Sequence, residues 1–169
     1  MVLLAACGGE PEEREYALPQ DLCGIDVPQE LYEPLFPPGT ELQVTGRYSE
    51  DMQLLVGQNC GYDLDGEDVF ETRTAALDRF DSYLSSRDLD YSMDDAEEIA
   101  GDFDVVVWPG FAMAKAPCTI GNEDASVIEW FMIALRADHP EDDAESRAVL
   151  ARLIEPYMRA MLQQMPCAE

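Results

Sequence analysis

The segment Val105-Val106-Val107-Trp108-Pro109-Gly110-Phe111-Ala112-Met113 and the run Val127-Ile128-Glu129-Trp130-Phe131-Met132-Ile133-Ala134-Leu135-Arg136 decide the fold of this chain. Both are rich in β-branched and aromatic residues, which favour strands. The Pro109-Gly110 pair is a turn signal, so we predict a hairpin in which Val105 to Trp108 pairs with Phe111 to Thr119. The run from Val127 to Arg136 lies between turn signals and predicts a central strand.

A second hairpin is predicted earlier in the chain, around Asp65-Gly66. An Asp-Gly pair is favoured in two-residue hairpin turns because both of its positions tolerate positive φ. We expect strands at Leu42 to Val44, Met52 to Leu64 and Val69 to Arg73. Strands joined by hairpins, rather than by crossover helices, favour an antiparallel sheet. The predicted fold class is therefore α+β, with an antiparallel sheet and helices packed mainly on one face.

Helical spacing of apolar residues predicts four helices. They lie near Pro28 to Phe36, at Ala75 to Ser85, at Asp94 to Ala100 behind a Ser92 capping box, and in a long C-terminal helix whose first position is Pro140. The long helix contains Pro156. Because an interior proline costs about 3 kcal/mol, we expect a kink or break near Glu155.

The chain is strongly acidic. It has 36 Asp and Glu residues against ten Lys and Arg, and a formal net charge of -26. Phosphate contacts need clustered basic side chains, so this composition excludes a general nucleic-acid-binding role. It also argues against the protein body lying on anionic lipid. We interpret the acidity as a solubilising surface, with adaptation to a salty environment as the alternative.

The N-terminal run Leu4-Ala5-Ala6-Cys7-Gly8-Gly9 has the form of a lipobox, in which diacylglycerol is attached to the cysteine thiol. The two acyl chains of one diacylglycerol suffice for stable anchoring. A secretory signal needs an apolar segment of about 7–15 residues, so we interpret residues 1–6 as a truncated signal-peptide remnant. The alternative is an incidental cysteine. Residues 7–20 would hold the attachment site and a flexible tether, and residues 21–169 a single globular domain.

Four further cysteines, Cys23, Cys60, Cys118 and Cys167, follow Cys7. An even number in an exported chain predicts two disulfides, with three pairings open. We favour Cys23 with Cys60 and Cys118 with Cys167, each contributing about 4 kcal/mol in the chain-entropy model. The spacing does not match a C-x-x-C redox or zinc motif.

No residue is predicted to be catalytic, cofactor-binding or metal-binding. The only histidine, His139, has no nucleophile elbow to partner it and precedes a helix. The acidic run from Asp63 to Asp68 lacks the glycine and glutamate spacing of a calcium loop and fits a hairpin turn. Met158, Met161 and Met165 could ligate Cu(I), but methionines at helical spacing usually fill a core. Trp108, Phe111 and Trp130 could line an apolar pocket, or could simply be buried.

The order of lipobox, acidic tether, Cys23 before a helix, a strand with Cys60 and Asp65-Gly66, and a long helix before Cys167 resembles uncharacterised secreted lipoproteins of actinobacteria. The resemblance implies an α+β fold, in some members similar to the PsbP-like sandwich, but no agreed activity. We therefore expect a domain anchored through lipidated Cys7 on the extracytoplasmic face of the cell membrane. It would bind an envelope protein or a small ligand without catalysis. The alternatives are an envelope hydrolase using dispersed carboxylates and a metal-binding lipoprotein. Its oligomeric state is left open.

Overall fold

The computed structural model describes residues 13–48, 57–121 and 127–167. Within these ranges seven strands form one antiparallel sheet: β1 Leu42–Gly46, β2 Asn59–Leu64, β3 Glu67–Ala75, β4 Glu97–Ile99, β5 Asp104–Trp108, β6 Phe111–Gly121 and β7 Val127–Ala137. The helices are α1 Gln29–Tyr32, α2 Phe80–Ser86 and α3 Asp143–Gln164. The strand order is β1-β2-β3-β7-β6-β5-β4. The predicted α+β class with an antiparallel sheet is confirmed.

Both predicted hairpins and the predicted central strand are present. Asp65 and Gly66 turn between β2 and β3 with φ values of 56° and 92°, the left-handed conformation that the Asp-Gly pair indicates. Trp108 pairs with Phe111 across the turn between β5 and β6. Strand β7 lies in the middle of the sheet because it pairs with β3 on one side and β6 on the other.

One face of the sheet is covered by α3 and α1. Most of the apolar stripe of α3 is buried, and its buried members include Val149, Leu150, Leu153, Ile154, Tyr157, Met158 and Met161. Helix α3 continues through Pro156, so a break near Glu155 is wrong. Burying one Leu, Ile or Met side chain stabilises the fold by about 1.5–3 kcal/mol, and two or more such side chains on each side of the proline outweigh its cost.

Two predicted helix starts are wrong, one because a local cap prevails and the other because strand pairing prevails. Helix α3 begins after Asp142, not at Pro140, since the Asp142 carboxylate accepts hydrogen bonds from the amides of Ala144 and Glu145. The residue at which we predicted the second helix to start, Ala75, instead pairs with Met132 in the sheet, and α2 begins at Phe80.

The helix predicted at Asp94 to Ala100 is replaced by a single turn and a strand. The Ser92 hydroxyl does cap this segment, accepting from the Asp94 amide at 3.2 Å. The turn ends at Asp95, and Glu97–Ile99 then pairs with Val105 to Val107 as β4. The strand predicted from Met52 begins at Asn59 among the described residues, and 52–56 lies outside them.

The second face of the sheet is covered in part by α2 and the segment that follows it. Buried here are Val106, Trp108, Phe111, Met113, Met132 and Ala134, with Tyr83 and Leu84 from α2. Helices therefore pack mainly on one face, as predicted, with the short α2 on the other.

Two disulfides link the loops and helices to the sheet. Cys23, in the loop before α1, is bonded to Cys60 in β2, and Cys118 in β6 is bonded to Cys167 just after α3. The favoured pairing is confirmed. Contacts with the domain begin before Asp21, since Arg14 donates to the Phe36 carbonyl at 2.6 Å.

Candidate functional site

A cavity of about 250 Å³ lies between α2 and the second face of the sheet. It is lined by Glu71, Arg73, Tyr83, Arg87, Leu89, Phe111, Ala134 and Arg136. We call it the arginine pocket. It forms where α2 and its following loop stand above strands β3, β7 and β6.

Strand register places the floor of the arginine pocket. Arg73 pairs with Ala134 across β3 and β7, and Arg136 pairs with Glu71 on one side and Phe111 on the other. Residues directly opposite each other in neighbouring strands point to the same face. Because Ala134 is the smallest side chain in this group, a depression remains between Arg73 and Arg136.

The roof comes from the end of α2. Tyr83 and Arg87 are four residues apart, a spacing that brings side chains together on one side of a helix. The Arg87 guanidinium carbon lies 5.9 Å from the centre of the Tyr83 ring. Tyr83 is only 2% exposed, so the ring is fixed, whereas Arg87 is exposed at the mouth.

The charge of the arginine pocket is opposite to that of the protein. Its lining carries three arginines and one carboxylate, whereas the whole chain has ten basic residues against 36 acidic ones. Arg73 is paired with Glu71 at 2.6 Å. Arg136 lies 3.6 Å from Asp138, and both side chains are more than half exposed. Arg87 forms no ion pair with any residue that the structure describes. The pocket thus keeps a net positive charge.

The Tyr83 hydroxyl is a hydrogen-bond donor at neutral pH. Burial raises the pKa of this phenol, an effect that Arg87 and Arg73 partly oppose and that Glu71 reinforces. Desolvation disfavours the charged form of a tyrosine, so the proton is retained.

Aromatic packing fixes the apolar wall. Phe111 stacks on Tyr91 with ring centres 4.6 Å apart, and Trp108 lies 5.7 Å from Phe111. The Trp108 Nε1 donates to the Ser92 carbonyl at 2.8 Å, which holds the covering loop against β5. Of the three aromatic residues considered from the sequence, Phe111 lines the arginine pocket, Trp108 supports it, and Trp130 lies beside Lys115.

Other cavities are larger but chemically less suited to a ligand. One of about 460 Å³ near Phe80 and Phe103 includes Lys115, whose ammonium group already contacts Asp104 and the Asp78 carbonyl. Another of about 440 Å³ lies between α3 and Glu97, where Arg147 is 3.8 Å from that carboxylate. A third of about 310 Å³ lies next to Tyr48, where the described residues end.

The structure places the residues weighed from the sequence as follows. Cys7 lies outside the described residues. His139 is in the loop between β7 and α3. The carboxylates of Asp63 and Asp65 accept hydrogen bonds from Gly66 and from Thr40 and Glu41, so they stabilise turns. Met158 and Met161 are fully buried. No cluster of three or more potential metal ligands occurs among the residues described.

Sequence reasoning missed the arginine pocket because its parts come from three distant segments. Arg73, Arg87 and Arg136 are each unremarkable locally. One signal could have pointed to two of them: in a chain with so few basic residues, Arg73 and Arg136 are each the last residue of a predicted strand.

Comparison with known protein families, curated proteins and solved structures found no significant match for this chain. None of the helices in the described part is both long enough and apolar enough to span a bilayer.

Proposed function

We propose that this protein is a lipid-anchored extracytoplasmic domain that binds a small ligand without catalysis, and that the ligand occupies the arginine pocket. The observation that carries the proposal is the convergence of Arg73, Arg87 and Arg136 on one cavity in a chain with net charge -26. The resemblance to secreted lipoproteins and the two disulfides support the extracytoplasmic location.

The lining chemistry favours binding over hydrolysis. A hydrolase of the two-carboxylate type needs a pair of acids facing the substrate. The arginine pocket is lined by one carboxylate, Glu71, which is held by Arg73 at 2.6 Å. Burial raises the pKa of Tyr83, so its hydroxyl is a hydrogen-bond donor, and guanidinium groups offer donors and no acceptor. Such a set recognises and orients a ligand.

The proposed anchor keeps the domain close to the membrane. Arg14 already contacts the domain, and an extended chain spans about 3.3–3.6 Å per residue. From Cys7 to Arg14 the chain therefore reaches about 25 Å at most. A ligand of the proposed domain would be met in the envelope, next to the bilayer surface. Cys7→Ala should release the full-length precursor from membranes.

A thermal-shift screen of residues 8–169 with both disulfides formed tests the binding proposal. The screen covers small acids, sugars, metal ions, lipids and peptidoglycan fragments. Ala134→Leu fills the depression between Arg73 and Arg136, and Ala17→Leu adds the same bulk at an exposed position away from it. We expect at least one compound to raise the Tm of the wild type and of Ala17→Leu, but not that of Ala134→Leu.

A screen without any shift on a folded wild-type domain would contradict the small-ligand proposal. A shift that survives in Ala134→Leu would place the ligand elsewhere. If Ala134→Leu does not fold, the smaller Ala134→Val variant replaces it, and a reduced shift is expected. Circular dichroism of each variant establishes that the fold is retained.

A further inference from the structure

We infer that the ligand of the arginine pocket is a small organic carboxylate, with its carboxylate on Arg87 and its apolar or aromatic body against Phe111 and Leu89. This inference rests on the proposed function, because it names the ligand class of the same pocket.

The three arginines are not equivalent, and their partners show which one is open to a ligand. Arg73 donates from Nε to the Glu71 Oε1 at 2.8 Å, and its Nη2 lies 2.6 Å from the same oxygen, so Glu71 occupies this side of the guanidinium. Arg136 shares a loose, half-exposed pair with Asp138, and such pairs contribute little. Arg87 has no ion-pair partner among the described residues. Its guanidinium is therefore the one whose donors remain open.

A guanidinium with open donors matches a carboxylate in shape. Its N–H groups form a fixed planar fork that donates two parallel hydrogen bonds to the two oxygens of a carboxylate. The Tyr83 ring beneath Arg87 limits the positions of this fork, since the two groups are 5.9 Å apart. Tyr83 lines the same cavity, and its hydroxyl keeps its proton because burial raises its pKa. Together these donors define an anion subsite at the roof.

The cavity also offers apolar surface for the body of a ligand. Phe111 on the sheet is held by its stack on Tyr91, and Leu89 lines the cavity from the segment after α2. Ligand pockets for drug-sized molecules measure about 300–1,000 Å³. A cavity of about 250 Å³ fits a ligand with roughly one ring.

The net charge of the chain restricts the ligand to small anions. Charges are screened over about 8 Å at physiological ionic strength, so the nearby arginines dominate the potential inside the pocket. A long polyanion would extend beyond this region and be repelled by the acidic surface, whereas a ligand with a single carboxylate would stay close to the arginines.

Isothermal titration calorimetry of residues 8–169 with benzoate tests the inference. Benzamide has the same ring without the charge, and inorganic phosphate has charge without the ring. We expect benzoate to bind with a Kd at or below about 1 mM, which is about −4 kcal/mol and reasonable for so small a ligand. Phosphate should bind at least tenfold more weakly, and benzamide should give no heat at the same concentrations.

A pair of variants with equal charge change locates the subsite. Arg87→Gln should weaken benzoate binding by about tenfold or more, because it removes charge-assisted hydrogen bonds. Arg152→Gln is the matched control: Arg152 is exposed on α3, which packs on the other face of the sheet, and should change the Kd by less than twofold. Arg87→Lys keeps the charge but not the fork and should give an intermediate Kd.

The outcomes separate the ligand class from the binding function. Equal effects of Arg87→Gln and Arg152→Gln would overturn the assignment of the carboxylate to Arg87. Absence of benzoate binding, with an uncharged compound from the screen still sensitive to Ala134→Leu, would overturn the ligand class and leave the proposed function standing. If phosphate binds as tightly as benzoate, the apolar wall takes no part, and the organic-carboxylate assignment is wrong.

Discussion

Lys115, the single lysine of the chain, joins the sheet to the start of α2, and its replacement by methionine should destabilise the fold. Its ammonium group donates to the Asp78 carbonyl at 2.6 Å and lies 3.2 Å from the Asp104 carboxylate. It also lies 4.8 Å from the centre of the Trp130 ring. The Lys115 side chain is only 17% exposed, whereas its partner Asp104 is 65% exposed. Methionine keeps much of the apolar stem and removes the charge.

The loss in the free energy of unfolding caused by Lys115→Met follows from these three contacts. A hydrogen bond from a charged donor contributes about 1.5–3 kcal/mol. A partly desolvated cation–π contact adds about 0.5–2 kcal/mol. The ion pair adds at most about 1 kcal/mol, because the Asp104 side chain is 65% exposed. Since such contributions are not fully additive and methionine retains apolar contacts, we expect a loss of about 2–4 kcal/mol in the free energy of unfolding.

Urea denaturation followed by circular dichroism measures this loss. Arg79→Gln is the control, since it also removes one positive charge near the start of α2. Arg79 is paired with Asp81, and both side chains are about half exposed or more. The control should lose less than about 1 kcal/mol. A Lys115→Met variant no less stable than Arg79→Gln would refute the structural role of Lys115. Lys115→Met should also weaken benzoate binding, because α2 carries Tyr83 and leads to Arg87.

Three further predictions concern the disulfides, the alkaline limit of stability and the anchor. Mass spectrometry should find no free thiol in residues 8–169, and Cys23→Ser or Cys118→Ser should each cost up to about 4 kcal/mol for loops of 37 and 49 residues; two free thiols would refute the pairing. Burial raises the pKa of Tyr48 from 10.0 to about 12, so the folded state favours the protonated phenol. The stabilisation of the fold by this group is therefore complete below pH 10 and is lost as pH rises towards 12. Tyr48→Phe should therefore reduce the slope with which the free energy of unfolding falls between pH 10 and pH 12. An unchanged slope would show that ionisation of Tyr48 does not cause the fall. Cys7→Ala should leave the Tm unchanged while releasing the protein from membranes, and continued membrane association would show that the anchor lies elsewhere.

The sheet could be predicted from the sequence because its signals are local. The turns at Asp65-Gly66 and Pro109-Gly110 demand special backbone conformations, and the long apolar run of β7 suits a strand with neighbours on both sides. Of the three possible disulfide pairings, the one favoured from the sequence, Cys23 with Cys60 and Cys118 with Cys167, is the one in the structure.

Apart from the start of α3, which the local Asp142 cap sets, the errors arose where an interaction between distant segments overrode a local preference. Ala75 suits a helix, yet its pairing with Met132 extends β3. Glu97–Ile99 follows a true cap at Ser92 but becomes a strand because β5 offers an open edge. Helix α3 tolerates Pro156 because the buried stripe on both sides supports it.

The candidate site could not be predicted because cross-strand register creates it. Arg73 and Ala134 are 61 positions apart in the chain but lie opposite each other in the sheet. Sequence reasoning identified the shortage of basic residues, without showing that three of them meet at one cavity.

An NMR titration of ¹⁵N-labelled residues 8–169 with benzoate tests the central claim most directly, because it shows where a carboxylate binds. We predict that the amide shifts concentrate around Arg73 in β3, at Tyr83 to Leu89, and around Ala134 to Arg136 in β7, and that Arg87→Gln suppresses them. Shifts confined to α3 or to the far face of the sheet, or no shifts at millimolar benzoate in a folded domain, would contradict the account.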